Sequence, residues 1–194
     1  ISTAVYEEKI RAAVTETDGE VVLYDGSPIL AVFHSSSPGS TSNVEDVWQS
    51  SLPYLRSVDS PETEEAVPNY YSQETFTLTE FKELFIANYP TANLSGSPSN
   101  WFTNIQQTEN GTVQSLQVGG ISLTGSELRT LLGLRSASFT ISFSDDAVTF
   151  SVTGYGHGVG MSQYGANVLA QQGKTYREIL TWYYTGTTVE VYDK

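Results

Sequence analysis

GYGHGVGMSQYGA, residues 154–166, is the stretch from which the rest of the chain is read. Glycine at 154, 156, 158 and 160 removes every second side chain and leaves Tyr155, His157 and Val159 between them. In an extended strand those three share one face. Alternating glycine lets a ligand or a neighbouring backbone approach closely, at an entropic cost that a plain strand does not accept. Two readings stand side by side: a strand that faces a ligand, or a strand crossing another at a tight corner with His157 as a satisfied structural residue. No pair of these glycines satisfies G-x-G-x-x-G, so the segment is no dinucleotide fingerprint. Ser162 lies in G-x-S-x-x-G, which is not the G-x-S-x-G of a nucleophile elbow.

Outward from this stretch, three helices carry the same start signal, a Thr followed three residues later by Glu. Thr77/Glu80 opens a helix to about Asn88 with Leu78, Phe81, Leu84 and Phe85 inward; Thr124/Glu127 opens one that Gly133 ends; Thr175/Glu178 opens the last, through Tyr184. Residues 6–17 carry Ile10, Ala13, Val14 and Thr17 at helical spacing. Strand patterns occupy 20–24 and 28–34 around the Asp25-Gly26 turn, 112–118 and 121–123 around Gly119-Gly120, and 139–143 and 148–153 around Asp145-Asp146. Residues 35–43 read as a loop, and the acidic, proline-marked stretch 59–73 as a surface connection. The sum is an α+β fold of antiparallel β-hairpins with short helices packed on them, a single domain in which 59–110 is an insertion or subdomain.

The chain has 194 residues, enough for one core, with 22 acidic against 9 basic side chains and a net charge of −13 at pH 7. Such a surface repels nucleic acid and anionic membranes, and a neutral glycan is compatible with it. No stretch approaches the roughly 20 apolar residues of a membrane span. Cysteine is absent, which excludes disulfides and thiolate metal sites. The chain opens on Ile1 without a charged-then-apolar leader, as expected of a processed or excised piece.

Candidate chemistry gathers in a few places. The two histidines, His34 and His157, each border a serine- or glycine-rich loop, and imidazole suits proton handling or hydroxyl recognition. Either is as readily a packed residue. Two histidines without an H-x-x-x-H pair are too few for zinc unless carboxylates complete the site, so no metal and no cofactor are expected. A serine hydrolase built on Ser36 or Ser162 with Asp46 has no positive signature. Glu45 and Asp46 sit beside Trp48, an aromatic on which a sugar ring can stack; the plainer reading is a turn with a buried tryptophan anchor. Arg129 and Arg135 read as ion-pair partners of the fold, or as ligands for a muramoyl carboxylate.

Three blocks resemble the stage II sporulation protein D family, SpoIID/LytB. The first comprises Phe33-His34-Ser35-Ser36-Ser37, Val44-Glu45-Asp46-Val47-Trp48 and Leu52-Pro53-Tyr54-Leu55-Arg56. The second runs from Leu123-Thr124-Gly125 through Glu127-Leu128-Arg129 to Leu134-Arg135-Ser136. The third joins the glycine segment to Gly173-Lys174, Tyr176, Ile179-Leu180, Tyr183-Tyr184 and Gly186. The match runs in order from about residue 7 to 190. The resemblance implies a lytic transglycosylase that cleaves between N-acetylmuramic acid and N-acetylglucosamine without water. In its LytB branch it implies a non-enzymatic wall-binding module or enhancer of an N-acetylmuramoyl-L-alanine amidase. In the first case one carboxylic acid protonates the leaving oxygen, then removes the C6 hydroxyl proton as a 1,6-anhydro ring closes. The family's catalytic glutamate sits in a segment resembling E-A-L-K-A-Q-A-V-A-A-R-T, which this chain lacks, so no residue here inherits the role. Pro38 stands where relatives carry glycine. Glu45 or Glu127 is a weaker substitute acid, the first being explained by a turn and the second by its capping box. The resemblance thus leads to the expectation that His34, Ser36, Tyr155, His157 and Gln163 line a glycan-binding cleft. The expected partners are peptidoglycan glycan strands and an amidase or a missing N-terminal segment. The expected setting is extracytoplasmic: secreted, in the wall, or membrane-tethered through a missing segment.

Overall fold

The computed structural model describes residues 3–48 and 50–192. The first half runs α1 (Thr3–Glu16), β1 (Glu20–Tyr24), β2 (Ser27–Pro28), β3 (Phe33–His34), a 3-10 turn (Val44–Asp46), β4 (Tyr71–Thr77) and α2 (Leu78–Asn88). The second runs β5 (Phe102–Gln107), β6 (Val113–Val118), β7 (Ile121–Thr124), α3 (Gly125–Leu132), β8 (Phe139–Phe143) and β9 (Ala147–Thr153). It closes with β10 (Met161–Ser162), α4 (Gln163–Gln171), α5 (Tyr176–Tyr183) and β11 (Thr188–Val191). The fold is α+β, its strands forming small sheets ordered β11-β1-β2, β4-β9-β8 and β5-β6-β7, all antiparallel, with a parallel pair β10-β3.

Local chemistry sets the helix starts. Thr77, Thr124 and Thr175 each accept a hydrogen bond from the backbone N–H three residues on, and the Glu80, Glu127 and Glu178 carboxylates each accept one from the threonine N–H. Gly133 ends α3 in the left-handed conformation, φ 68°. In β9 burial alternates, so Val148, Phe150 and Val152 point into the core. That core is the larger of two. Phe81 and Phe85 of α2, Trp101, Phe102, Leu116, Val118, Leu128 and Phe150 meet in it, with Phe81 stacked on Trp101 at 5.9 Å. Fully burying each such ring contributes roughly 2–3 kcal/mol. Residues of the 59–110 stretch therefore share one core with strands from 113–152. The smaller core joins Val44, Leu55, Val159 and Tyr184.

The structure corrects three readings of the sequence. The strand expected over 28–34 does not return along β1: only Ser27–Pro28 pairs there, while Phe33–His34 pairs in parallel with Met161–Ser162. The connection expected over 59–73 is not purely superficial: most of its residues are exposed as read, but Ser60, Glu62, Val67 and Tyr70 turn into the interior. The apolar face of α1 is exposed, Ile10 and Val14 each at 64%.

Candidate functional site

The glycine segment is not a strand. All four alternating glycines have positive φ, 77° at Gly154, 122° at Gly156, 80° at Gly158 and 70° at Gly160, so the chain coils where strand periodicity was expected. Tyr155, His157 and Val159 consequently do not share a face: Tyr155 is exposed, His157 half-buried and Val159 fully buried. The coil threads along residues 32–42. A Cβ at Gly160 would stand 2.1 Å from the Val32 carbonyl oxygen, at Gly154 2.7 Å from that of Ser36, and at Gly156 2.7 Å from His34 Cβ. Reciprocal hydrogen bonds join Ser36 and Tyr155 (3.0 and 2.8 Å), and Ser42 N–H donates to the Gly158 carbonyl (2.8 Å).

This crossing gathers three rings into a tilted stack, with interplanar angles of 47° and 58°. His157 lies 4.9 Å from Trp48 and 5.7 Å from His34, centroid to centroid. His34 is only 4% exposed; its Nδ1–H donates to the Val159 carbonyl at 3.2 Å, and its Nε2 is buried without a partner. Burial pushes the His34 pKa down to about 4; the Val159 bond opposes this and the neighbouring His157 adds to it. His157 Nδ1 accepts the Val159 N–H at 3.1 Å, which leaves the ring proton on Nε2, and burial lowers this pKa as well. Both rings are neutral at pH 7.

Above the stack opens a cleft of about 940 Å³. Glu45, Asp46, Trp48 and His157 form one wall; Asn88 and Tyr89 at the end of α2, and Thr124, Glu127 and Arg129 around α3, form the other. Trp48 is partly exposed at 38%, not a buried anchor. Arg129 makes no ion pair among the described residues: its Nε donates to the Leu134 and Arg135 carbonyls, both at 3.2 Å, which aims the guanidinium from the α3 wall. Arg135 is likewise no ion-pair partner and stacks over Tyr155 at 4.1 Å. The expectation of two fold-stabilising ion pairs is thereby replaced by one cleft cation and one cation–π contact.

The carboxyl groups around the cleft are engaged by partners. Glu45 pairs with Arg56, and its own backbone N–H and that arginine hold its pKa low. Asp46 accepts from Asn43 (3.1 Å) and Gln114 (3.1 Å), and Glu127 closes the α3 capping box. Beneath the crossing, Glu62 Oε1 accepts from Ser37 N–H (2.6 Å), Ser37 Oγ (2.7 Å) and Ser162 Oγ (2.5 Å). Burial alone would raise its pKa, but the serine donors outweigh it and the net direction is down. Ser162 also caps α4 by accepting the Gly165 N–H, so its hydroxyl is committed to structure.

Of the five residues expected to line a cleft, His157 does so. His34 and Ser36 lie below it at 4% and 2% exposure, Tyr155 is exposed beneath Arg135, and Gln163 is exposed at the start of α4 with no hydrogen bond to the other four. Sequence reasoning missed Glu62 and the α2 contribution of Asn88 and Tyr89. Among the described residues no group of three His, Cys, Asp or Glu side chains is placed to hold a metal ion, and no helix is long and apolar enough to cross a membrane.

Fold and site together define an α+β protein whose open, polar, aromatic-walled cleft rests on a glycine-threaded crossing. Over 186 residues, 96% of this chain, it is 38% identical to stage II sporulation protein D of Bacillus subtilis, covering 52% of that protein. The corresponding figures for stage II sporulation protein D of Bacillus amyloliquefaciens are 37%, 96% and 52%. Against the amidase enhancer of Bacillus subtilis the identity is 30%, over 93% of this chain and 32% of the relative. No family model matches the chain. Relatives named stage II sporulation protein D and amidase enhancer, 30–38% identical over most of the chain, support the stage II sporulation protein D family, and the chain spans about half the length of the sporulation proteins it matches.

Proposed function

We propose that these residues form the glycan-binding wall of a peptidoglycan lytic transglycosylase that acts outside the cytoplasm. A cell-wall role is supported by the names of the relatives, stage II sporulation protein D and amidase enhancer. The observation that carries the finer reading is the cleft: the open face of Trp48 beside neutral His157, with the unpaired Arg129 guanidinium across from them. Trp48 offers an apolar surface for a sugar ring, His157 a neutral polar edge, and Arg129 a fork for a carboxylate. In a chain of net charge −13, a cation turned into a cleft selects a ligand that is neutral but for one acid. A muramoyl group stripped of its stem peptide has that character. His34, Ser36 and Tyr155 support the crossing, and Gln163 stands apart from the cleft at the start of α4.

The proton donor for such a cleavage must be a carboxyl of raised pKa. Glu45 and Glu62 are held below the ordinary carboxylate range, while Asp46 is taken up by Asn43 and Gln114 and Glu127 by its capping box. The reading therefore assigns the acid to residues outside this set. The same observation favours a second reading, in which the chain binds wall glycan without cutting it and raises the rate of an amidase.

Replacing Trp48 with Ala tests the cleft with little risk to the fold, since the ring is partly exposed and makes no hydrogen bond. Retention on amidase-stripped peptidoglycan is expected to fall on the order of tenfold, with an unchanged Tm. Undiminished retention sinks the proposal.

A further inference from the structure

Three tryptophans divide among three environments: Trp101 is in the core, Trp48 walls the cleft, and Trp182 stands on the surface at 49% exposure. Trp182 belongs to α5, whose inward positions Ile179 and Tyr183 are buried. Its indole Nε1–H donates to the Asp59 carbonyl at 2.8 Å. The ring is therefore fixed in orientation, its one polar atom is satisfied, and what it offers to a partner is apolar face.

That ring separates two depressions. One, of about 370 Å³, is lined by Leu169, Lys174, Glu178 and Thr181. The other, of about 420 Å³, is lined by Ser40, Ser57, Asp59, Thr108, Glu109 and Asn110. Neither shares a lining residue with the cleft. Asn110 Nδ2 donates to Ser40 Oγ, so the polar rim of the second depression is itself ordered.

We infer that Trp182 is a second glycan platform, which takes a neutral N-acetylglucosamine unit of a β-1,4-linked N-acetylhexosamine chain on its face while the amide and hydroxyls of the rim meet the sugar's hydroxyl and acetamido groups. A sugar ring presents axial C–H groups on its face and polar groups around its edge, which matches a fixed indole flanked by serine, threonine and asparagine. Asp59, Glu109 and Glu178 border the same ring, and with the net charge they disfavour anionic lipid and nucleic acid. Because the ring is already oriented, binding loses little side-chain entropy. This inference rests on the proposal that the protein handles wall glycan, and it adds a holding site apart from the cleft.

The test is titration of the chain with a soluble hexamer of β-1,4-linked N-acetylglucosamine, followed calorimetrically and by tryptophan fluorescence. Trp182→Ala is expected to weaken binding on the order of tenfold without lowering Tm, and Trp182→Phe to restore most of the affinity. Trp182→Ala that binds as the parent does, while Trp48→Ala binds poorly, overturns the platform and leaves the cleft standing. No binding of the hexamer or of stripped glycan by the parent removes both. A Trp182 face that binds a peptide and not the hexamer also overturns the platform.

Discussion

Glu62→Ala is expected to lower the free energy of unfolding by about 4 kcal/mol, the largest effect of any single replacement considered. Three donors converge on Glu62 Oε1, two from Ser37 and one from Ser162, in an interior from which water is excluded. Each buried donor left without an acceptor costs roughly 1–3 kcal/mol, partly offset by relief of the carboxylate's own desolvation. The damage should also be local. Ser37 follows the His34–Ser36 run and Ser162 caps α4, so Glu62 fastens the two motifs that cross beneath the cleft. Glu62→Gln keeps one acceptor oxygen and should cost about half as much. Urea denaturation at pH 7 measures both. A loss under about 1 kcal/mol for the alanine variant would show that the carboxylate does not hold the crossing together.

Acidification from pH 7 to pH 5 is expected to remove about 2 kcal/mol of stability through His34 alone. Its pKa is ordinarily 6.5 and about 4 in the fold, because the charged imidazolium is not solvated at 4% exposure. The unfolded chain therefore binds the proton first. Stability is complete above about 6.5, declines as the pH falls, and levels off below about 4. His157, also depressed by burial, contributes in the same direction. Glu62 does not interfere in this window: its folded pKa is below the ordinary carboxylate value, so its contribution is intact at pH 5 and is lost only at lower pH. Chemical denaturation at pH 7, 6 and 5 reads the slope. His34→Asn, which keeps a donor toward Val159 but cannot charge, should flatten most of it. A wild-type curve that is already flat over this range contradicts the neutral buried histidine.

The elements that the sequence made legible are those whose cause is local. Three capping boxes, the Gly133 stop and the two hairpins at Gly119-Gly120 and 145–146 depend on residues within a few positions of one another, and they stand as read. The failures share a different origin. Phe33–His34 looked like the return of a hairpin, yet its partner lies some 130 residues on in β10, which no local pattern reveals. Glycine at every second position imitates the period of a strand; positive φ at all four makes it a coil, and only the packing against Val32, Ser36 and Ser42 says why glycine is needed. The acidic stretch around Glu62 read as solvated because carboxylates usually are. Glu62 alone of its acids is buried, and that burial depends on serines at 37 and 162 that only the tertiary fold brings to it.

The candidate site divides along the same line. His157 and Trp48 were legible as residue types that suit a sugar, and the fold brings them to one stack. His34 and Ser36 were singled out by the same motif but support the stack from below. Arg129 was visible as an arginine, but its lack of an ion pair among the described residues, and so its value in the cleft, goes with its Nε being held by the Leu134 and Arg135 carbonyls.

The most direct test of the central claim is incubation of this chain with amidase-stripped peptidoglycan, followed by sedimentation of the glycan and mass spectrometry of the soluble products. The account predicts that the chain sediments with the glycan and that no 1,6-anhydromuramic ends appear. Chain left in the supernatant would contradict a glycan-binding wall, and anhydro products would contradict the assignment of the acid to residues outside it.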